Sequence, residues 1–236
     1  MGFIPIFLQV EDKSCLVVGG GEVAARKAQA LAAAGASVTL ISPQVTAVLT
    51  EEAGSGRIAL LRRAYRDGDM AGHLLVYAAT NDPELNRHLF EEARRLNILI
   101  NVADSPDHCS FIAPSVIRRG RLQVAISTAG ASPALARTLR ERMEIWLGDE
   151  LEVLLEIMAG ARDWLKRHEP DAAIRARKLN GLAASDLGDA LRAGDWGVAE
   201  KIIAEFLGQE VTLAELGIGS RSPLAATRDR KGEPVR

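Results

Sequence analysis

A glycine-rich loop between two short apolar segments constrains the fold of this chain more than any other feature. The run Cys15–Val18 has the length and composition of a strand buried on both faces, and it leads directly into Gly19-Gly20-Gly21. Residues 22–34 are rich in helix-forming alanine, leucine, lysine and arginine, and Gly35 supplies a C-terminal stop. Ser37–Ile41 is typical of a second, β-branched strand. The sequence therefore predicts a right-handed βαβ unit of about 30 residues.

The loop and the start of the helix match the dinucleotide-binding fingerprint G-x-G-x-x-A. Gly19 is expected to permit the tight turn, Gly21 to let the backbone approach a pyrophosphate, and Ala24 to keep the helix close to the strand. The helix N-terminus would present free N–H groups and the positive end of its dipole to the phosphates. A glycine turn without a ligand is the alternative, which the strand–loop–helix–strand context disfavours.

The residues alone leave the type of dinucleotide open. NAD-binding folds usually place an Asp or Glu at the end of the second strand, where it binds the ribose hydroxyls. Here that strand ends in Ser42-Pro43-Gln44, so Ser42, Gln44 or backbone groups would have to serve. Arg26 and Arg62 are the candidates for contact with the 2′-phosphate of NADP.

Strands and helices continue to alternate up to residue 102. Three further strands are predicted, at Arg57–Leu61, His73–Ala79 and Ile98–Val102. Between the last two, Asp82–Leu96 is a predicted helix with Asn81 or Asp82 as its cap, Pro83 at its first position and Asn97 as its terminator. This alternation predicts an α/β fold with a parallel sheet covered by helices on both faces.

The pattern changes after residue 110. Two β-rich runs around Arg118-Arg119-Gly120 predict a hairpin, and Ser132 and Pro133 then begin a helix. From residue 149 the chain is typical of helices, and its last twenty or so residues are typical of disorder. We therefore expect a Rossmann-like dinucleotide-binding domain at 1–112, a hairpin and helix at 113–148, a helical domain at 149–216 and a disordered tail at 217–236.

Composition excludes several functional classes. Aromatic residues make up 4% of the chain and the net charge is −2, which argues against a stacking platform or a basic footprint for nucleic acid. Two distant cysteines and four scattered histidines argue against a structural zinc site, and we predict no metal ligands. Since neither a signal-peptide pattern nor an apolar run of about 20 residues is present, we expect a cytoplasmic protein without a membrane span.

Asp104 is a single carboxylate at the end of a predicted strand. Open α/β sheets bind ligands beyond the carboxyl ends of their strands, where a carboxylate can accept a proton from a substrate. Asp104 can equally form a turn before Ser105-Pro106, and the residues alone do not decide between the two roles. His108 could touch a metal or the substrate, although an exposed loop histidine is the simpler interpretation.

Four separated segments resemble one known family. They are IPIFLQVEDKSCLVVGGGEVAARKA near the N-terminus, AATND at 78–82, NVADSPDHCSFIAPSVI at 101–117 and VAISTAGASPALARTLRERME at 124–144. In order and spacing they resemble the precorrin-2 dehydrogenase family, the dehydrogenase/ferrochelatase module of siroheme synthase. The resemblance implies NAD-dependent oxidation of precorrin-2, a tetrapyrrole with many carboxylates, to sirohydrochlorin. Many members then insert Fe²⁺ to give siroheme, and the sequence leaves that second step open.

The resemblance also implies site residues and an assembly. In the family the aspartate at the position of Asp104 is implicated in both steps, which makes Asp104 the predicted catalytic residue. The loop Ser127, Thr128, Gly130 is the predicted substrate-binding segment. It departs slightly from the family's usual Ser-Ser-Gly-Gly, and some members carry a phosphorylatable serine at the position of Thr128. The hairpin and helix at 113–148 become a dimerisation segment, which implies a homodimer with NAD as cofactor. The predicted cofactor-binding residues are Gly19, Gly21, Glu22, Val23, Pro43, Gln44, Thr80, Asn81, Asn101 and Val102.

Two other features of the sequence keep alternative interpretations. The arginines at 118, 119 and 121 could attract a polycarboxylate substrate or form a solvated hairpin tip. The apolar stripe Leu135, Leu139, Met143, Trp146 has helical spacing, which indicates either core or a dimer interface.

Other functional classes remain to be weighed against the dehydrogenase. A generic short Rossmann oxidoreductase is weakened because neither tyrosine of the chain, Tyr65 or Tyr77, fits a Tyr-x-x-x-Lys pair. A non-catalytic NAD-binding regulatory domain would keep the glycine loop without needing Asp104. The helical C-terminal part does not repeat an α/β pattern, so we expect it to lack the methyltransferase module of the fused enzymes.

Overall fold

The computed structural model describes residues 2–219, which divide into two compact units. The first takes in the chain up to Ala113 together with Ala129–Ala131, and the second holds Pro114–Thr128 and the chain from Ser132 onward. The elements of the first unit are, in chain order, β1 (Ser14–Val18), α1 (Glu22–Ala33), β2 (Ser37–Ile41), α2 (Ala47–Gly54), β3 (Ile58–Leu61), β4 (Leu75–Ala78), α3 (Pro83–Leu96) and β5 (Leu99–Val102).

The strands of the first unit form one parallel sheet in the order β3-β2-β1-β4-β5. The register pairs Val18 with both Ile41 and Ala78, and Ala78 with Val102. The loops that follow these four strands therefore leave the sheet at the same edge. This order is that of a Rossmann-like fold, with a switch point between β1 and β4, and it confirms the predicted fold class.

Helices cover both faces of the sheet, as the alternating pattern predicts. On β1, Cys15 and Val17 pack in the cluster that includes α1 and α2, whereas Leu16 and Val18 pack in the cluster that includes α3. Such two-sided burial explains why β1 is continuously apolar rather than alternating. The predicted caps of α3 are confirmed, because the Asp82 carboxylate accepts the N–H groups of Glu84 and Leu85, and Asn97 ends the helix with φ +54°.

Two details of the first unit differ from prediction. Helix α2 was not predicted, since its eight residues bury only Leu49 and Glu52 and give too short a periodic pattern. It is nevertheless capped, because the Thr46 hydroxyl accepts the N–H of Leu49 at 3.4 Å. Strand β4 begins at Leu75 rather than His73, because the His73 N–H donates to the carbonyl of Met70 in a preceding turn.

The outer edge of β5 is covered by its own downstream segment. Ala103 N–H donates to Ala78 O, so the N–H and C=O groups of Ile100 and Val102 face away from β4. Ser110 satisfies both backbone groups of Ile100. Its N–H donates to Ile100 O at 2.9 Å, and its Oγ accepts the Ile100 N–H at 2.8 Å. The Cys109 thiol does the same for Val102. These contacts satisfy the edge that a further strand would otherwise occupy.

The second unit combines a hairpin with helices. Its elements are β6 (Ser115–Arg119), β7 (Leu122–Ile126), α4 (Pro133–Trp146), α5 (Glu150–His168), α6 (Ala172–Ala184), α7 (Leu187–Ala193) and α8 (Trp196–Leu207). The hairpin is antiparallel and turns at Gly120 with φ +52°, and Ser132 caps α4 through the N–H of Leu135, as predicted. Helices α5 to α8 share one apolar core, which Leu216 and Ile218 join. The predicted boundary at residue 149 within this unit stays a prediction.

The predicted disordered tail, 217–236, lies outside the described residues from 220 onward. Within residues 2–219, none of the helices combines the length and the apolar character needed to cross a membrane.

Candidate active site

The glycine loop after β1 is packed tightly on one side. Gly19 has φ +125°, and a Cβ there would lie 2.2 Å from the carbonyl oxygen of Ala79, just beyond β4. A Cβ on Gly20 would lie 1.8 Å from the carbonyl oxygen of Gln44 and 2.7 Å from Ser42 Oγ. The prediction gave Gly20 no role, because contact with a loop 24 residues away leaves no local signal.

The opposite side of the loop is open. Gly21 has φ −83°, and a Cβ there would meet nothing within 4 Å. Gly21 is also the N-cap of α1 and offers no side-chain hydrogen bond, so the first N–H groups of that helix have no capping side chain. Glu22 is exposed and Val23 half-buried at this turn. An uncapped helix start beside open space has the geometry that a pyrophosphate requires.

The end of β2 carries a polar loop without a carboxylate. Ser42 is buried, and its hydroxyl donates to the carbonyl of Gln44 at 2.6 Å, so its proton serves the loop rather than a ribose. Pro43 and the side chain of Gln44 are exposed. Of the arginines considered for a 2′-phosphate, Arg62 donates to Thr50 Oγ1 at 2.9 Å. Arg26 is exposed. Pro43, Gln44 and backbone groups remain the candidates for the adenosine side.

The end of β4 is held by α3. The Thr80 hydroxyl lies 2.8 Å from Asn86 Oδ1, and Asn86 Nδ2 donates to the Thr80 carbonyl at 3.0 Å. This pair fixes the backbone immediately after the strand, while Asn81 stays exposed. Asn86 was missed from the sequence. Its position one turn after the Asp82 cap is the only local signal that could have suggested it.

Asp104 lies two residues beyond β5 in a left-handed turn. Its φ is +58°, a conformation that Asp and Asn tolerate better than other non-glycine residues. The residue is exposed, and within residues 2–219 its carboxylate makes no hydrogen bond or ion pair. An Asx turn would need that carboxylate to accept a backbone N–H. The carboxylate is therefore available to a ligand at the cofactor edge of the sheet.

Asn101 and Val102, predicted near the cofactor, have structural partners. Asn101 Nδ2 donates to the carbonyl of Phe111 at 3.0 Å, and the Val102 side chain is buried against α3. Asn101 thereby holds the segment that follows Asp104, and Val102 anchors the end of β5. The contact of either residue with a cofactor stays a prediction. His108 is also held, since its Nδ1 lies 2.8 Å from Ser105 Oγ and its ring packs against Phe90.

A half-buried lysine lies on the face of the sheet that α1 covers. Lys27 Nζ lies 4.9 Å from the centre of the Tyr77 ring, and Phe111 meets that ring edge to face. Burial, with a smaller contribution from Arg26, lowers the pKa of Lys27, and burial raises the pKa of Tyr77 to about 12. No local pattern indicated this cluster, because its members come from α1, β4 and the segment after β5.

One group of side chains has the composition of a metal site, although no metal ligand was predicted. Asp67, His88 and Glu92 bring ligand atoms within 4.8 Å of one another among the described residues. However, both oxygens of the buried Glu92 are in use, since they accept the Tyr65 hydroxyl at 2.8 Å and the Gly68 N–H at 2.9 Å. Glu92 is thus explained by its role in attaching the loop 65–68 to α3.

Comparison with known proteins shows what this chain is similar to. Residues 6–115 match a family model described as putative NAD(P)-binding, and residues 119–144 match one described as sirohaem biosynthesis protein central. The siroheme synthase of Thioalkalivibrio sulfidiphilus is 38% identical over 88% of this chain, and siroheme synthase 1 of Aeromonas hydrophila is 40% identical over 93%. This chain is similar to these siroheme synthases over most of its own length. The resemblance found in the sequence is confirmed, and the first unit is an NAD(P)-binding domain.

The chain spans less than half the length of these two siroheme synthases, 42% of one and 49% of the other. A solved structure titled SirC, precorrin-2 dehydrogenase, superposes with a TM-score of 0.70 over 84% of this chain and 100% of its own. At 24% identity that likeness supports the fold.

The remaining predicted residues, Ser127, Thr128 and Gly130, lie within the stretch 119–144 that matches the sirohaem biosynthesis protein central model. Thr128 Oγ1 accepts the N–H of Ser132 at 3.0 Å, which links the end of the hairpin to the start of α4. Ser127 is exposed, and Gly130 has φ +87° with open space around it. Their contact with a substrate stays a prediction.

The arginines of the hairpin separate into two kinds. Arg119 is structural, because it donates to the carbonyls of Glu144 and Leu147 and pairs with Asp149 at 3.2 Å. Arg118 and Arg121 are exposed.

Proposed function

We propose that this protein oxidises precorrin-2 to sirohydrochlorin and that NAD is the hydride acceptor. The observation that carries the proposal is the position of Asp104. The glycine loop follows β1 and Asp104 follows β5, at the same edge of the sheet and two strands apart. Neighbouring strands are about 4.8 Å apart, so these two strand ends are separated by roughly 10 Å. The nicotinamide half of a dinucleotide that begins at the glycine loop extends over such a distance.

Different residues of the chain would bind the cofactor and accept the proton. The outer side of Gly21 and the start of α1 bind the pyrophosphate, and the tight packing of Gly19 and Gly20 keeps that surface fixed. When bound, NAD accepts the hydride. The Asp104 carboxylate accepts the proton that leaves the substrate with it. We assign the adenosine side to Pro43 and Gln44 and the nicotinamide ribose to Thr80 and Asn81.

The proposal extends to the substrate and the assembly. Arg118 and Arg121 would pair with substrate carboxylates, and the loop Ser127, Thr128, Gly130 would approach the macrocycle through its small side chains. The apolar stripe of α4 supports a homodimer, because Leu135 is 50% exposed and Trp146 is 72% exposed. A mass of twice 25.3 kDa by light scattering at micromolar concentration would support this assembly, and a strict monomer would contradict it.

A cytoplasmic location completes the proposal. It is supported by the two cysteines, Cys15 and Cys109, which are free thiols, as is usual in a reducing compartment.

An anaerobic assay tests the reaction. Purified protein is mixed with enzymatically generated precorrin-2 and NAD, and the absorbance of sirohydrochlorin and NADH is followed. The matched variant is Asp104→Asn, because asparagine also tolerates the left-handed turn and removes only the base. We expect turnover to fall by about 10²–10⁴-fold while NAD affinity is unchanged.

The same assay distinguishes the competing hypotheses about the cofactor, the function and the second substrate. Product formation with NADP but not NAD would overturn the cofactor assignment. Absence of oxidation with either dinucleotide, together with tight NAD binding, would favour a non-catalytic NAD-binding regulatory domain. Adding Fe²⁺ after oxidation then tests ferrochelation, since siroheme formation faster than in a protein-free control would make Fe²⁺ a second substrate.

A further inference from the structure

The sulfur atom of Cys109 contacts the backbone on both sides of the turn that carries Asp104. Cys109 Sγ lies 3.2 Å from the backbone nitrogen of Val102 and 3.3 Å from its carbonyl oxygen. The same sulfur lies 3.2 Å from the carbonyl oxygen of Ser105. Val102 precedes the turn at Asp104 and Ser105 follows it. A single side chain therefore holds both flanks of the proposed base.

The chemistry of a thiol suits this position. The sulfur accepts the Val102 N–H, while its one proton is donated to either Val102 O or Ser105 O. Burial raises the pKa of Cys109, which keeps the thiol protonated and able to donate. Apart from the Asn101 amide, whose Nδ2 lies 3.5 Å from the sulfur, its partners are backbone groups, so the loop conformation depends on the sulfur directly.

The turn itself needs such support. Asp104 has φ +58°, and a non-glycine residue keeps this conformation only where the surrounding structure determines it. Without the sulfur, the Val102 N–H at the sheet edge loses its partner and the Ser105 carbonyl keeps only the His108 N–H, so the segment 103–108 can relax. A shift of about 1 Å in a reacting group is enough to reduce turnover strongly.

We propose that Cys109 is a positioning residue that holds the Asp104 carboxylate in place by binding the backbone on both sides of it. This inference rests on the proposed role of Asp104 as the base. Cys109 does not touch the substrate in this arrangement, and it acts only through the backbone of residues 102–105.

Three variants test the proposal. Cys109→Ala removes the sulfur, and Cys109→Ser keeps a donor and acceptor on a shorter bond. Ser110→Ala is the matched control, because Ser110 closes the same sheet edge at Ile100 without touching the segment 102–105. Each variant is assayed for kcat, for NAD affinity, for thermal stability and for amide hydrogen exchange in the peptide that spans 101–109.

We expect Cys109→Ala to lower kcat on the order of tenfold with NAD affinity unchanged, and to speed exchange in residues 102–108. Cys109→Ser should recover most of the turnover. Ser110→Ala should lose thermal stability but retain kcat, with faster exchange confined to Ile100. A Cys109→Ala protein with wild-type kcat and exchange would overturn the proposal, as would an equal loss of kcat in Ser110→Ala.

The two proposals can fail separately. If the wild-type protein does not oxidise precorrin-2, the proposed function fails. Hydrogen exchange then decides the positioning role alone, since it reports the order of the loop without requiring turnover. Unchanged exchange in Cys109→Ala would then reject that role.

Discussion

Two of the three loop glycines, Gly19 and Gly21, should separate folding from cofactor binding when each is replaced by alanine. In Gly21→Ala the new Cβ meets nothing within 4 Å, and the backbone at φ −83° and ψ −173° suits alanine. Reduced freedom of the unfolded chain adds about 0.4–1 kcal/mol of stability, and the weaker N-cap removes about 0.5–1 kcal/mol. The free energy of unfolding should therefore stay within about 0.5 kcal/mol of the wild type.

Gly19→Ala should behave in the opposite way. A side chain at φ +125° costs about 1–3 kcal/mol in backbone strain. A Cβ 2.2 Å from the Ala79 carbonyl oxygen forces a further shift that costs about 1–3 kcal/mol. The sum, about 2–6 kcal/mol, is a large part of the total stability of an ordinary domain. This variant should unfold at clearly lower urea concentration or fail to accumulate.

The affinity for NAD should change in Gly21→Ala, the variant whose stability stays close to that of the wild type. In Gly21→Ala the methyl group occupies the space that a pyrophosphate needs, so we expect NAD affinity to fall at least tenfold, about 1.4 kcal/mol or more. Urea unfolding followed by circular dichroism gives stability, and calorimetric titration with NAD gives affinity. Gly54→Ala is the control, because it also adds a Cβ in open space, at the end of α2. A folded Gly21→Ala protein that binds NAD as tightly as wild type would refute the assignment of this surface.

Two further predictions concern the region around Glu92 and Asp69. Tyr65→Phe removes the hydroxyl that donates to buried Glu92 Oε2, so the free energy of unfolding measured in urea should fall by about 1–3 kcal/mol. Unchanged stability would contradict the structural role of this hydrogen bond. Arg63, through its hydrogen bonds, holds the pKa of Asp69 below its usual value, assisted by the Arg66 N–H. The stability from this pair is therefore complete above the unfolded pKa of about 3.9 and is lost as pH falls through the lower folded pKa. Stability measured from pH 6 down to pH 2 should fall less steeply in Asp69→Asn, and parallel acid limbs in both proteins would rule out this contribution.

Local patterns in the sequence were enough to predict most of the framework. The apolar run at β1, the glycines after it and the helix formers of α1 act over a few residues, so their combined meaning is readable without tertiary information. The caps at Asp82, Asn97 and Ser132 are equally local, because each acts on the nearest helix turn. Helix α2 escaped prediction because a short helix with two buried residues depends on its packing more than on its pattern.

The candidate site was predicted only in part, for the same physical reason. Asp104 follows a strand, and its place at the cofactor edge follows from the rule that parallel strands end together. Its left-handed turn and the sulfur that holds it require contacts between residues 102, 105 and 109 that no periodicity encodes. Asn86, which fixes the end of β4, was invisible for the same reason.

The sequence by itself determined that this chain has a Rossmann-like dinucleotide-binding unit and resembles the siroheme synthases, because strand period, glycine spacing and ordered motifs are properties of the linear chain. The tertiary structure decided that Gly19 packs against the backbone beyond β4 while Gly21 faces open space. It also decided that Glu92 attaches the loop 65–68 to α3. Only tertiary structure shows that Cys109 closes the sheet edge beside Asp104. These roles depend on atoms brought together from distant segments, and burial and hydrogen bonding between such atoms exist only once the chain has folded.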